Sequence, residues 1–235
     1  KERTFVFDDL NLRLKNRQQS LTSCKTSMSE EDRKRPPLGI RVQDHSTVYS
    51  GYLKVDRYKL SHEHYQGGWS KVLDREVMHR KEISAVLPYD PNRQEIVLVE
   101  QFRVGAWAGS WPHPWLLECV AGVMETGETA GDVAIREAQE EAGCVITELE
   151  LIGRFFSTPG GSSELINLFC GRTDASTVGG YHGLAEEGEN IKAECWPLAD
   201  ALALLEDGSI CNAKTLVALQ WLALNHERLR ENWSS

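Results

Sequence analysis

No stretch of this 235-residue chain approaches the roughly 18 consecutive apolar residues that a membrane-crossing helix requires. Nothing at the N-terminus joins a basic flank, an apolar centre and a small-residue cleavage site. Secretion therefore has no support in the sequence, although a start at Lys1 rather than Met leaves room for a leader upstream. Basic residues are in deficit: 26 Lys and Arg against 35 Asp and Glu give a formal net charge of −9. That balance argues against nucleic acid or an anionic membrane as a partner, since both need a basic face. An acidic protein still binds an anionic small molecule if metal ions and a few arginines supply positive charge locally. The six cysteines (Cys24, Cys119, Cys144, Cys170, Cys195 and Cys211) form no CxxC pair and no metal-type spacing. Most sit in apolar contexts such as Leu117-Glu118-Cys119-Val120, so buried free thiols in a reducing cytoplasmic compartment are expected. There is no internal repeat.

What remains is a chain with enough apolar residues, 41%, for one well-filled core and a small accessory layer. Residues 1–41 are polar, with dense charge from Ser29 to Arg35 and a Pro36-Pro37 break, and read as a flexible arm. Residues 42–79 form a second region. Val48 to Leu60 and Trp69 to His79 are rich in β-branched and aromatic residues and flank Gly67-Gly68, the pattern of antiparallel strands. Their tyrosines, with Trp69, need a covering surface, which points to a homodimer. The main domain, 80–235, opens with strands at Ile83 to Pro88 and Glu95 to Arg103 around the turn-forming Asp90-Pro91-Asn92. A short strand is expected at Trp115 to Ala121. A helix follows, with Thr129 as N-cap, Val133, Ile135, Ala138 and Ala142 on its apolar face, and Gly143 as its end. Further strands are expected at Leu149 to Ser157, Leu165 to Arg172 and Ile191 to Pro197. Two amphipathic helices, Ala199 to Glu206 and Ala213 to about Arg230, close the chain. This order fits an α/β sandwich with a mixed sheet better than a doubly wound parallel sheet.

The chemistry concentrates between Gly122 and Cys144, which reads GVMETGETAGDVAIREAQEEAGC. On a helix, Glu137 and Glu141 lie one turn apart with Glu140 adjacent, so three carboxylates share a face. Like charges so placed repel and weaken an isolated helix. A hard divalent cation such as Mg²⁺ is the simplest reason to keep them together, against the alternative of a solvated acidic face. The segment matches G-x5-E-x7-R-E-U-x-E-E-x-G-U at every fixed position: Gly122, Glu128, Arg136, Glu137, Glu140, Glu141 and Gly143. In this the chain resembles the Nudix hydrolases, whose signature this is. The apolar positions carry Ala138 and Cys144, which are small for the pattern. Downstream, Ser157-Thr158-Pro159-Gly160-Gly161-Ser162-Ser163-Glu164 is similar to a loop of the ADP-ribose pyrophosphatase subgroup. Glu100-Gln101-Phe102-Arg103 and Ala218-Leu219-Gln220-Trp221 are similar to bacterial members. The likeness covers roughly 46–233 and leaves out the arm.

The resemblance implies a Nudix-type α/β/α sandwich preceded by a small antiparallel strand region. It also implies hydrolysis of ADP-ribose to AMP and ribose 5-phosphate with two or more Mg²⁺ ions, Mn²⁺ being a possible substitute. Metal would be held by Glu137, Glu141 and the backbone carbonyl of Ala121, with Glu140 beside them. Arg136 would orient a glutamate, and Glu164 would position or deprotonate the attacking water. Arg103 would bind the pyrophosphate or ribose. In that subgroup the early strands are exchanged between subunits, so Arg75 would meet the nucleotide of the partner, and Trp69 would either stack on adenine or pack in the dimer interface. Glu118 would assist the metal cluster or pair with an arginine, and His113 is a loop residue. Two rival readings remain: another nucleotide sugar, such as GDP-mannose, as substrate, or an inactive ADP-ribose-binding sensor. Sensors usually lose acidic residues of the signature, and this chain keeps them all.

Overall fold

The computed structural model describes residues 39–184 and 188–233. Most of the expected arm, and Cys24, therefore lie outside the described residues. The described chain divides into two compact units.

The first unit comprises the described residues up to Arg80 with Thr158–Ser163. It is built on an antiparallel sheet of β1 (Ile40–Ser50), β2 (Lys54–His62) and β3 (Leu73–His79), in that order. The region expected as strand from Val48 to Leu60 in fact contains a hairpin turn at Gly51-Tyr52-Leu53, closed by the Gly51 N–H on the Leu53 carbonyl at 3.0 Å. Tyr and Val continue through this turn, so composition alone does not mark it. Gly67 and Gly68, at φ 89° and 83°, make the second turn in a region of backbone space that favours glycine. On β2 the buried Asp56 accepts from Thr47 Oγ1 at 2.7 Å and lies 3.0 Å from the Lys54 ammonium, tying β1 to β2. The 158–163 loop docks on β3, with Met78 N–H on the Gly161 carbonyl at 2.9 Å and Ser163 N–H on the Met78 carbonyl at 3.1 Å.

The second unit is an eight-stranded mixed sheet between helices. Its strands are β4 (Ile83–Asp90), β5 (Glu95–Phe102), β6 (Trp115–Glu118), β7 (Val120–Val123), β8 (Glu148–Phe156), β9 (Leu165–Arg172), β10 (Gly180–His182) and β11 (Ile191–Pro197). The order is β10-β11-β5-β4-β9-β8, with β6 on β5 and β7 on β4. β4 runs parallel to β9 and antiparallel to β5, which makes the sheet mixed. β4 and β5 pair only at Tyr89 with Ile96 and Asp90 with Glu95, then splay so that β7 and β6 line the gap. Asp90 fixes the connecting turn, accepting from the N–H groups of Asn92 and Arg93.

Helix α1 (Val104–Ala108) precedes β6; α2 (Ala130–Ala142), α3 (Leu198–Glu206) and α4 (Ala213–Trp233) form the layers. Successive strand residues face opposite sides. Val86, Val97 and Val99 pack with Ala134, Ala138 and Ala142 of α2. Residues of the other phase, Ala85, Leu87 and Tyr89 with Leu168 and Cys170, are equally buried, and α3 and α4 supply the layer that covers them. Within α2 the buried stripe is Val133, Ala134, Ala138, Glu141 and Ala142. Ile135, expected on that stripe, is 43% exposed, because the helical step carries it to the outer face. All five described cysteines are free; Cys119, Cys144 and Cys170 are buried, whereas Cys195 is half-buried and Cys211 is exposed, contrary to expectation. Among the described residues no helix is long and apolar enough to cross a membrane.

Candidate active site

The acidic face of α2 is held from both ends. Thr129 Oγ1 accepts the Asp132 N–H at 3.2 Å, and Gly143, at φ 66°, turns the chain out while its N–H caps the last turn. The Ser84 hydroxyl of β4 donates to the Ala130 carbonyl at 2.6 Å and pins the first turn to the sheet. Strand β7 therefore runs beside the helix at close quarters. The N–H of Ala121 donates to Glu141 Oε2 at 3.1 Å. At Gly122 the approach is tighter still: a Cβ there would stand 1.7 Å from Glu137 Oε1. Only glycine leaves room for that carboxylate against the strand.

Burial sets the electrostatics. Glu141 is 4% exposed, and its carboxyl is pushed up to about 7. Desolvation is the main cause, and the neighbouring charge of Glu137 adds to it, against smaller pulls from the Ala121 N–H and Arg103. Glu137 is raised as well, by burial foremost, with Glu140 and Glu189 repelling its charge and Arg136 opposing. Arg136 gathers the acids around it, donating from Nη1 to Glu137 at 2.8 Å and Glu140 at 2.9 Å, and from Nε to Glu128 at 3.3 Å. Glu128 in turn accepts the Glu125 N–H at 2.8 Å, fixing the loop that enters the helix.

Beside this helix, Arg103 at the end of β5 pairs with Glu118 of β6 through Nε to Oε1 at 3.0 Å and Nη2 to Oε2 at 2.9 Å. Lys214, in the first turn of α4, donates to the same Glu118. Glu118 stays ionised below the usual carboxylate range although burial opposes it, because Lys214 and Arg103 outweigh that cost. Of the expected site residues, Ala121, Arg136, Glu137, Glu140 and Glu141 come together here, and Arg103 feels the charge of Glu141. Glu164 stands just before β9, with its carbonyl accepting the Ser157 N–H at 3.2 Å. Arg75 lies on β3 of the first unit, donating to the Asp74 carbonyl at 2.7 Å and lining an open pocket with Arg57 and Lys59. Trp69, also in that unit, carries the Arg41 guanidinium 3.6 Å over its ring. His113 is an exposed loop residue.

Residues 78–219 match the family model described as "NUDIX domain". The chain belongs to the Nudix family. It is 40% identical over 195 residues to a protein of Escherichia coli named ADP-ribose pyrophosphatase, covering 83% of this chain and 93% of that one. The corresponding Haemophilus influenzae protein is 39% identical over 196 residues, covering 83% and 90%. A Cronobacter sakazakii protein named GDP-mannose pyrophosphatase is 36% identical over 151 residues, covering 64% and 78%. Among solved structures, one titled as an ADP compounds hydrolase superposes with a TM-score of 0.62 at 21% identity, over 86% of this chain and 100% of that one. At that identity it establishes the fold alone, the Nudix-type sandwich expected from the sequence.

Among the described residues no group of three or more His, Cys, Asp or Glu side chains is arranged to hold a metal ion. The reason is local: Arg136 draws Glu137 and Glu140 to itself, and the Ala121 N–H engages Glu141. The donor set still suits a hard divalent cation, since its carboxylates are oxygen ligands and the Gly122 cradle seats one of them against a strand rich in carbonyls. Two residues escape the Nudix signature. Lys214 sits in an ordinary amphipathic stretch, where only its place among buried positions marks it. Glu189, whose charge reaches Arg103, Glu137 and Glu141, lies in an acidic run that resembles any solvated loop.

Proposed function

We propose that this Nudix protein is a Mg²⁺-dependent hydrolase that cuts the pyrophosphate of ADP-ribose to give AMP and ribose 5-phosphate. One observation carries the reading: relatives named for that activity share 40% of their residues with this chain over 93% of their own length. A pyrophosphate diester resists hydrolysis because its own negative charge repels an incoming oxygen nucleophile. Divalent ions, when bound, neutralise that charge and lower the pKa of water. Glu137, Glu141 and the Ala121 carbonyl are the groups assigned to hold them, with Glu140 alongside and Mn²⁺ as an alternative ion. Arg136 orients these carboxylates and does not touch substrate. Arg103 binds the pyrophosphate, as a planar guanidinium suits anionic oxygens. Glu164 takes the proton of the attacking water. Arg75 contacts the nucleotide across a homodimer formed by the early strands, and the enzyme works in the cytoplasm.

The test is a substrate panel of ADP-ribose, GDP-mannose, NADH and diadenosine polyphosphates with Mg²⁺, following nucleoside monophosphate release. ADP-ribose should give the highest kcat/KM and EDTA should abolish turnover. Preferential cleavage of GDP-mannose would move the protein to another nucleotide sugar. Binding of ADP-ribose with no AMP released would make it a sensor.

A further inference from the structure

Assigning Arg103 to the pyrophosphate raises an electrostatic difficulty. Its Nε and Nη2 edge is already taken by both oxygens of Glu118. A guanidinium beside a carboxylate is nearly neutral as seen by an approaching anion, and the Glu118 side chain, 1% exposed, gains little screening from water. Two features resolve the difficulty. Among the described residues no acceptor is bonded to Arg103 Nη1, and the side chain is 39% exposed. The Lys214 ammonium bonds the same Glu118 oxygen, Oε2, that Arg103 Nη2 engages.

Lys214 is itself only 10% exposed, and its ammonium is spent on Glu118, so contact with substrate is not its role. Its position is fixed: the next residue, Thr215, accepts the Cys119 N–H at 2.9 Å, locking the start of α4 to the strand pair that carries Glu118. We propose that Lys214 is a positioning residue for substrate binding, cancelling the charge of Glu118 so that Arg103, held by both oxygens of Glu118, keeps its positive charge for the anion. The triad of two cations and one anion then carries one net positive charge. This rests on the reading of the chain as a hydrolase of a nucleoside diphosphate sugar.

The experiment compares wild type with Lys214→Met, Lys214→Gln and the double variant Lys214→Met with Glu118→Gln. ADP-ribose affinity is measured by calorimetry in EDTA, and KM and kcat with Mg²⁺. Loss of the buried charge should weaken binding about 5- to 10-fold and raise KM alike, with kcat nearly unchanged. Lys214→Gln keeps a hydrogen-bond donor for Glu118 but not the charge, so it should behave like Lys214→Met and serves if the latter does not fold. The double variant restores one net positive charge and should bind markedly better than Lys214→Met. A lysine that merely satisfies a buried carboxylate predicts near wild-type affinity in Lys214→Gln, which keeps the hydrogen-bond donor. Wild-type affinity in Lys214→Gln, or a double variant no better than Lys214→Met, would overturn the proposal. If wild type neither binds nor cleaves ADP-ribose, the functional reading has failed first.

Discussion

Burial makes the charge of Glu141 costly to the fold. Its carboxyl is pushed up to about 7 by burial, so the folded protein binds its proton more tightly than the unfolded chain does. For a raised carboxyl the favourable contribution is present at low pH and is lost as pH rises from the ordinary glutamate value of 4.5 through about 7. Glu141→Gln removes that charge. Without metal at pH 8 it should therefore stabilise the fold, by on the order of 2–3 kcal/mol, and most of the gain should be gone near pH 5. Urea midpoints in EDTA at the two pH values measure this, and equal effects at both would refute the burial argument. With Mg²⁺ the same substitution should cut turnover on the order of 10²-fold or more, because charge stabilisation at the reacting centre is worth that much. Glu164→Gln tests a different role. A group acting mainly in the transition state should lower kcat with little change in KM and alter the pH–rate profile. A pure KM effect would assign the proton transfer elsewhere, first to Glu140.

At the scale of elements, the helix and the strand beside it work as one part. Gly122→Ala would place a methyl group 1.7 Å from Glu137 Oε1, and the carboxylate must swing away. The fold should survive at a cost of about 1–3 kcal/mol, as for other overpacked sites, while half-saturating Mg²⁺ rises at least several-fold. Unchanged Mg²⁺ dependence would mean that Glu137 is not a ligand. This pairing explains what could be read beforehand. Elements whose ends carry their own chemistry were legible: α2 between Thr129 and Gly143, and β9 and β11 at their full lengths. Elements defined by tertiary context were not. Helix α1 has no side-chain cap and buries nothing, so neither period nor boundary signals it. The tiny strand β10 exists because β11 offers it an edge. The acids of the site were legible because α2 carries them in one run, whereas Lys214 reaches Glu118 only after β6 and α4 have packed together.

On the scale of the molecule, the least explained surface is the three-stranded sheet of the first unit. All eleven residues of β1 are exposed, among them Ile40, Val42, Val48 and Tyr49. Tyr52, at the tip of the first hairpin, is 93% exposed. Among the described residues β1 is also an edge strand, with β2 on one side only. A long edge strand with exposed apolar side chains invites pairing with another chain, and such surfaces usually mark an interface. The occupant expected is a second copy of the same chain. Light scattering should give twice the 26.4 kDa chain mass. A monomer at micromolar concentration would end the claim. Composition of the site is a separate question, because a dimer need not share its active centres. If Arg75 serves the nucleotide of the partner, Arg75→Ala and Glu141→Gln chains should each be impaired alone yet recover activity when mixed. The mixed dimer would hold one site in which both residues are intact, and up to about a quarter of wild-type activity should return, since half the dimers are mixed and each has one good site of two. No recovery after confirmed subunit exchange would mean that each site draws its residues from one chain.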